Sequence, residues 1–172
     1  MKKSTHRICA AAVLACTSLA LANTAEAVDL RDWGRQFNTA SERFVVLSQF
    51  NNEAVLDKET QLVWQRSAPA NSASWPSAMS QCRYSAAGGR FGWRLPSFPE
   101  LTSLVGSGGA LPAGHPFTNV LSQDLFWSST DHPVEPTSAH IKQLLGPYAG
   151  ATAKPAAHRY LCVRGAGAAE RG

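Results

Sequence analysis

The stretch Ala54-Val55-Leu56-Asp57-Lys58-Glu59-Thr60-Gln61-Leu62-Val63-Trp64-Gln65 decides the fold class. Two β-branched and aromatic runs flank the polar segment Asp57 to Thr60, the pattern of a strand, a turn and a second strand. Upstream, Arg43-Phe44-Val45-Val46-Leu47 has the same composition and predicts a further strand. Downstream, after a Ser/Ala/Pro/Asn loop, Ser74 can cap a helix. Its apolar positions Trp75, Ala78, Met79 and Cys82 recur at i, i+3, i+4 and i+7, which predicts one buried face carrying Cys82. Gly88-Gly89 ends that segment. Ser97-Phe98-Pro99-Glu100 reads as a capping box, opening a short second helix with Leu101, Leu104 and Val105 inward and a stop at Gly106.

A glycine- and proline-rich loop follows through Pro116. Leu125-Phe126-Trp127-Ser128-Ser129-Thr130 is a strand by composition, His140 to Leu145 is another ended by Gly146-Pro147, and Tyr160 to Arg164 closes the series. Strands at both ends and helices in the middle predict an α+β domain of antiparallel strands with two short helices and long loops, not an alternating parallel sheet. The 172 residues supply one domain. Charged residues make up 16% against roughly 25% in an average soluble domain, which excludes a disordered charged tail and a coiled coil.

The first 27 residues read as a signal peptide. Lys2, Lys3 and Arg7 form the positive head, Ile8 to Ala22 the apolar run, and Ala25-Glu26-Ala27 a small-x-small cleavage site, with Ala20-Leu21-Ala22 as a second candidate. The apolar run is too short and Ala-rich for a membrane anchor. Lipidation at Cys16 is the less favoured alternative, because the hydrophobic run continues past it. The expected organisation is therefore 1–27 signal peptide, 28–52 N-terminal extension and first strand, 53–165 the domain, and 166–172 a flexible tail. The expected location is periplasmic or extracellular. Cleavage before Val28 leaves 13 basic and 11 acidic side chains, a net +2, so part of the precursor's +4 belongs to the signal. Cys82 and Cys162 remain in a compartment where disulfides persist, and a single bridge is the natural pairing. With no two cysteines close in sequence, a C-x-x-C redox or zinc site is absent.

Five blocks then carry a resemblance: Val55 to Gln65; Ser74-Trp75 with Ala78 and Cys82; Trp93-Arg94-Leu95-Pro96-Ser97 with Glu100-Leu101; Phe126 to Thr130; and Cys162-Val163-Arg164-Gly165. In this order they resemble the Lcl C-terminal domain family, named for the C-terminal domain of the Legionella collagen-like adhesin and first catalogued as a domain of unknown function. The resemblance runs from about Glu53 to Gly165. It implies a fold related to C-type lectins and formylglycine-generating enzymes and, for the adhesin, binding of sulfated glycosaminoglycans. Three departures stand out. Gln61 occupies the place of a usual turn glycine. Leu161 stands where arginine is common and reads as the loss of one surface charge. Ser138 to Leu145 and an Ala/Pro-rich stretch replace the usual Trp- and Phe-bearing strands. The adhesin's collagen-like repeats are absent from the sequence.

Trp64, Trp75, Trp93 and Trp127 could stack on sugars, but tryptophans beside strand and helix motifs are more often core, each burying about 150 to 250 Å². Arg94 and Glu100 are expected to pair across the helix start as a structural network. Glu135-Pro136-Thr137 superficially matches a calcium-lectin motif, yet lacks the amide carbonyl and partner block, so a proline turn is preferred. His115, His132, His140 and His158 have no ligand spacing, so neither a metal nor another cofactor is expected. Ser128 or Ser129 with Asp131 and His132 supplies triad residue types without a nucleophile elbow, and the chain is expected to be non-catalytic.

Charge gives the hint about a partner. Residues 138–172 carry Lys142, Lys154, Arg159, Arg164 and Arg171 against Glu170, whereas residues 28–137 hold 8 basic and 10 acidic side chains. Lys142, Lys154, His158 and Arg159 are thus the candidate ligand-binding residues for a polyanion. The expectation is an exported, lectin-like module recognising a glycan, sulfated or acidic, or an envelope protein, without nucleic acid as partner. The alternatives are a non-catalytic subunit of an envelope or secretion assembly, and an enzyme related to the formylglycine generators.

Overall fold

The computed structural model describes Phe37 and residues 39–167. The expected signal peptide, Cys16, the expected Val28 terminus and residues 168–172 of the expected tail lie outside the described residues. One helical turn, α1 (Ala40–Arg43), runs directly into β1 (Phe44–Val46). After a 3₁₀ turn at Ser48–Phe50 come β2 (Ala54–Asp57) and β3 (Leu62–Gln65), the expected hairpin. Then follow α2 (Trp75–Arg83), α3 (Phe98–Ser103), β4 (Leu125–Asp131), β5 (Ser138–Gln143), β6 (Ala149–Ala153) and β7 (Val163–Gly165). The architecture is α+β. One antiparallel sheet has the order β1-β2-β3-β7 and the other β4-β5-β6. Among the described residues no helix is long and apolar enough to cross a membrane.

The first sheet is covered on both faces, which is why all four residues of β2 are buried instead of alternating. Val55, Trp64 and Val163 share one face and pack with Leu101 and Leu104 of α3. Ala54, Leu56 and Val63 face the other way, toward Ala78 and Cys82 of α2, Trp93 and Trp127. The closing segment alternates between the two cores: Leu161 and Val163 enter one, Tyr160 and Cys162 the other. Cys82 and Cys162 are joined in a disulfide. It fastens α2 to the segment leading into β7, across a sequence separation of 80 residues.

Several expectations need correction. Leu161 is fully buried, so it replaces a family arginine with core contact, not with a missing surface charge. Met79 is 37% exposed, and the buried side of α2 is made by Ala78 and Cys82, with Trp75 packed against the same core. Ser74 stands at the helix start without capping through its side chain; its hydroxyl donates to Ser77 Oγ instead. The strand expected over His140 to Leu145 begins and ends two residues earlier, as β5. The final strand is shorter than Tyr160 to Arg164 because Tyr160 to Cys162 run outside it. The strand β6 was not expected, since Ala149-Gly150-Ala151-Thr152-Ala153 has no apolar alternation, and it needs none at a sheet edge. Gln61 adopts φ 58°, the left-handed turn conformation for which a glycine would serve, and its Nε2 donates to Lys58 O at 2.8 Å.

The segment before the family-like region is part of the fold. Arg43 and Asp57 are buried, with Arg43 Nε and Nη2 donating to Asp57 Oδ1 and Oδ2 at 2.9 and 2.7 Å. Arg43 Nη1 also lies 2.9 Å from Glu59 Oε2. The guanidinium therefore closes the hairpin turn from outside.

Candidate functional site

Serine 97 accepts from the Glu100 N–H, and the Glu100 carboxylate accepts in return from the Ser97 N–H at 2.8 Å, completing the capping box. Arg94 meets the same carboxylate in a bidentate pair at 2.7 and 2.5 Å. Hydrogen bonding from Arg94 pulls the Glu100 pKa down to about 2. This network fixes Arg94 beside the first turn of α3 while leaving its side chain half-exposed.

Beside it lies a cleft of about 460 Å³ between α2 and the Trp93–Leu95 segment. Arg83, Tyr84 and Met79 line it from α2 and its end, and Trp93, Arg94 and Ser129 from the opposite side. Trp93 is buried and anchored by its indole N–H to Arg90 O at 2.9 Å, so only its border reaches the cleft. Tyr84 and Phe91 are 76% and 73% exposed, the two most exposed aromatic rings among the described residues. Arg90 and Arg164 stand with their guanidinium carbons 5.6 and 5.5 Å from the Phe50 ring, and Arg164 is 6.0 Å from Trp93. Arg83 and Arg90 form no ion pair among the described residues. Arginine-rich, aromatic-bordered clefts suit planar anions, which accept paired N–H donors while an apolar ring face is covered.

The residues expected to bind a ligand are not assembled into one surface. Lys142 is buried, and its ammonium donates to the carbonyls of Gly109, Gln143 and Gly146 at 3.0, 2.7 and 2.7 Å, tying β5 to two loops. Burial lowers its pKa. Arg159 is also buried and donates to Ala70 O and Asn119 O at 2.6 and 2.8 Å. These two cations belong to the scaffold, a correction to reading them as surface charge. His158 packs edge-on against Trp127 at 4.9 Å with its pKa lowered by burial. Lys154 is half-buried, paired with Asp131 at 2.8 Å and set 4.3 Å over the Trp75 ring.

The tryptophans divide. Trp64, Trp93 and Trp127 are core, while Trp75 is half-buried with its indole N–H on Ser128 O at 2.8 Å. Ser128 Oγ donates to His140 O and is buried, so it does not meet His132. His132 Nδ1 accepts from the Glu135 N–H, within the Glu135-Pro136-Thr137 turn. Among the described residues no group of three or more His, Cys, Asp or Glu is placed to hold a metal ion. Sequence reading missed Arg83, Tyr84, Arg90 and Phe91. The available signal was the run Arg83-Tyr84 and Arg90-Phe91 on either side of Gly88-Gly89, two arginine–aromatic pairs in a segment already bounded as a helix end.

A second cleft, of about 450 Å³, lies between the open end of the β2–β3 hairpin, Ala87 and Thr118. No curated protein matches the chain. The family profile described as the Lcl C-terminal domain matches residues 53–164, which span the hairpin, α2 and α3, the disulfide and the arginine-bordered cleft. The chain belongs to the Lcl C-terminal domain family.

Proposed function

We propose that this protein is an exported, non-catalytic module with a C-type-lectin-like fold that binds an anionic glycan at the cell envelope or surface, through the cleft bordered by Arg83 and Arg94. The observation that carries the reading is that Arg83 and Arg94 border one cleft beside the exposed Tyr84 ring, with Arg83 lacking any carboxylate partner among the described residues. Guanidinium groups bind sulfate and carboxylate through paired hydrogen bonds, and a linear polymer can follow a row of them. Tyr84 supplies an exposed ring face for a sugar. The signal-like N-terminus and the family membership support export and recognition.

The exposed Phe91 and Tyr84 favour a second reading, contact with an envelope protein, because Tyr, Phe, Met and Arg are enriched where proteins dock. Binding of the mature chain to sulfated, carboxylated and neutral polysaccharides over graded salt separates the two. Glycan recognition predicts affinity for the acidic polymers that falls as salt rises, and a further loss in Arg83→Ala. Absence of binding to every acidic polymer at low ionic strength overturns it. A stoichiometric envelope partner that persists at high salt would favour the docking reading.

A further inference from the structure

The cleft on the hairpin side of Gly88 is built differently from the arginine cleft. Glu53 and Arg66 face each other across the start of β2 and the end of β3, with Arg66 N–H donating to Glu53 O at 2.8 Å. Residues directly opposite in an antiparallel pair have Cβ atoms about 4.5 to 5.5 Å apart, close enough for a carboxylate and a guanidinium to meet. These two do not form an ion pair. The Glu53 carboxylate is drawn aside by the Gly88 N–H, which donates to Oε2 at 2.6 Å. The Arg66 guanidinium is engaged by backbone carbonyls instead, with Nε donating to Pro116 O at 3.1 Å and Nη1 to Asn52 O at 3.4 Å. Both charged residues line the cleft that opens between them.

The remaining hydrogen-bonding capacity is of both signs. Glu53 Oε1 and Arg66 Nη2 have no partner among the described residues, and the Thr118 hydroxyl on the same wall has none either. The lining contains no aromatic side chain, so there is no ring on which a sugar could stack. Gly88 fixes the geometry: it has φ 63°, and a Cβ there would lie 2.6 Å from Phe50 Cβ. The residue that holds Glu53 away from Arg66 is thus itself held against the core.

We propose that this cleft is a second binding site, separate from the arginine cleft, for a small zwitterion carrying an ammonium and a carboxylate, as in a free amino acid or a short peptide. The ammonium pairs with Glu53, the carboxylate with Arg66, and the ligand completes the ion pair that the two side chains do not make directly. A ligand with one charge alone makes only one of the two pairings and binds more weakly than the zwitterion.

The test is an NMR titration of the mature chain with L-alanine and trialanine, alongside N-acetyl-L-alanine and L-alanine methyl ester. Saturable shifts confined to Glu53, Arg66 and Thr118 with at least one zwitterion, and a loss of about ten- to hundredfold with both blocked compounds, are expected. A response to trialanine but not alanine identifies a peptide, and the reverse a free amino acid. Glu53→Gln keeps an acceptor for the Gly88 N–H and removes the charge, so it should fold, keep its binding of acidic polymers, and lose the zwitterion. No saturable response to either zwitterion, equal binding of a blocked compound, or unchanged binding by Glu53→Gln overturns the proposal.

Discussion

At the scale of single residues, the structure assigns opposite work to side chains that the sequence writes in the same letters. Lys142 and Arg83 are both cations, yet the first satisfies three carbonyls from within the fold and the second borders an open cleft. Lys142→Met keeps the length of the stem and removes the donors, leaving those carbonyls unanswered. It should lower unfolding free energy by about 2 to 4 kcal/mol in urea titrations while polyanion affinity of the folded fraction is unchanged. Arg83→Ala should do the reverse, with unaltered stability and weaker binding. Two titrations also have defined signs. His115 and His158 have pKa values lowered by burial, so the unfolded chain binds more protons than the native one as pH falls below about 6.5. Their contribution to stability is complete above that pH and is lost as pH falls through their native values. Glu100, held near 2 by Arg94, adds a later loss between about 4.5 and 2, weakened by solvent screening of the half-exposed pair. Thermal unfolding followed from pH 8 to 2, with NMR of the two histidines, should therefore show two successive declines, and a flat profile between pH 7 and 5 would remove the histidine part.

At the scale of elements, what could be read in the sequence is what local chemistry dictates. The β2–β3 hairpin follows from β-branched runs around a polar turn, and α3 from a serine and a glutamate three residues apart, whose reciprocal bonds form in the structure. Ser97→Ala should therefore destabilise by about 1 kcal/mol, read by chemical denaturation, with Arg94 freed to move because Glu100 loses one of its anchors. Tertiary placement is what local chemistry leaves open. Strand β6 is built of Ala, Gly and Thr and is recruited by β5, through five paired positions from Lys142–Ala149 to Ser138–Ala153. The face of α2 is narrower than its periodicity suggests because the disulfide brings Cys82 against Cys162, leaving Met79 at the cleft. The clefts were illegible for the same reason. Arg83 and Arg94 come to border one cleft only after α2 and the Trp93–Leu95 segment pack, while Glu53 and Arg66 are engaged by Gly88 and Pro116, far from both in sequence.

At the scale of the whole molecule, the unit that folds is longer than the unit that the family defines. The match begins at residue 53, but Asp57 is fully buried and its carboxylate is answered by Arg43, ten residues earlier than that boundary. The same arginine reaches Ser103 O at the end of α3, and β1 supplies the outer strand of the first sheet, pairing Phe44–Asp57, Val45–Leu56 and Val46–Val55. A chain starting at Glu53 would leave the Asp57 carboxylate without its guanidinium and expose the edge of β2 that β1 covers, and loss of one partner of a buried pair costs about 3 to 5 kcal/mol. Against a total of about 5 to 15 kcal/mol for an ordinary domain, that is a large share before the lost strand is counted. The disulfide constrains the unfolded chain between Cys82 and Cys162, worth about 4 to 5 kcal/mol at most on the loop-entropy account, but both its ends lie downstream and it cannot replace Arg43. Oxidised chains starting at Phe37 and at Glu53, compared by urea unfolding, should differ by at least about 3 kcal/mol, with Arg43→Ala in the longer chain reproducing much of the gap. Equal stability of the two would mean that the buried pair adds nothing to the fold, and that residues 37–52 merely rest on a domain already complete at the family boundary.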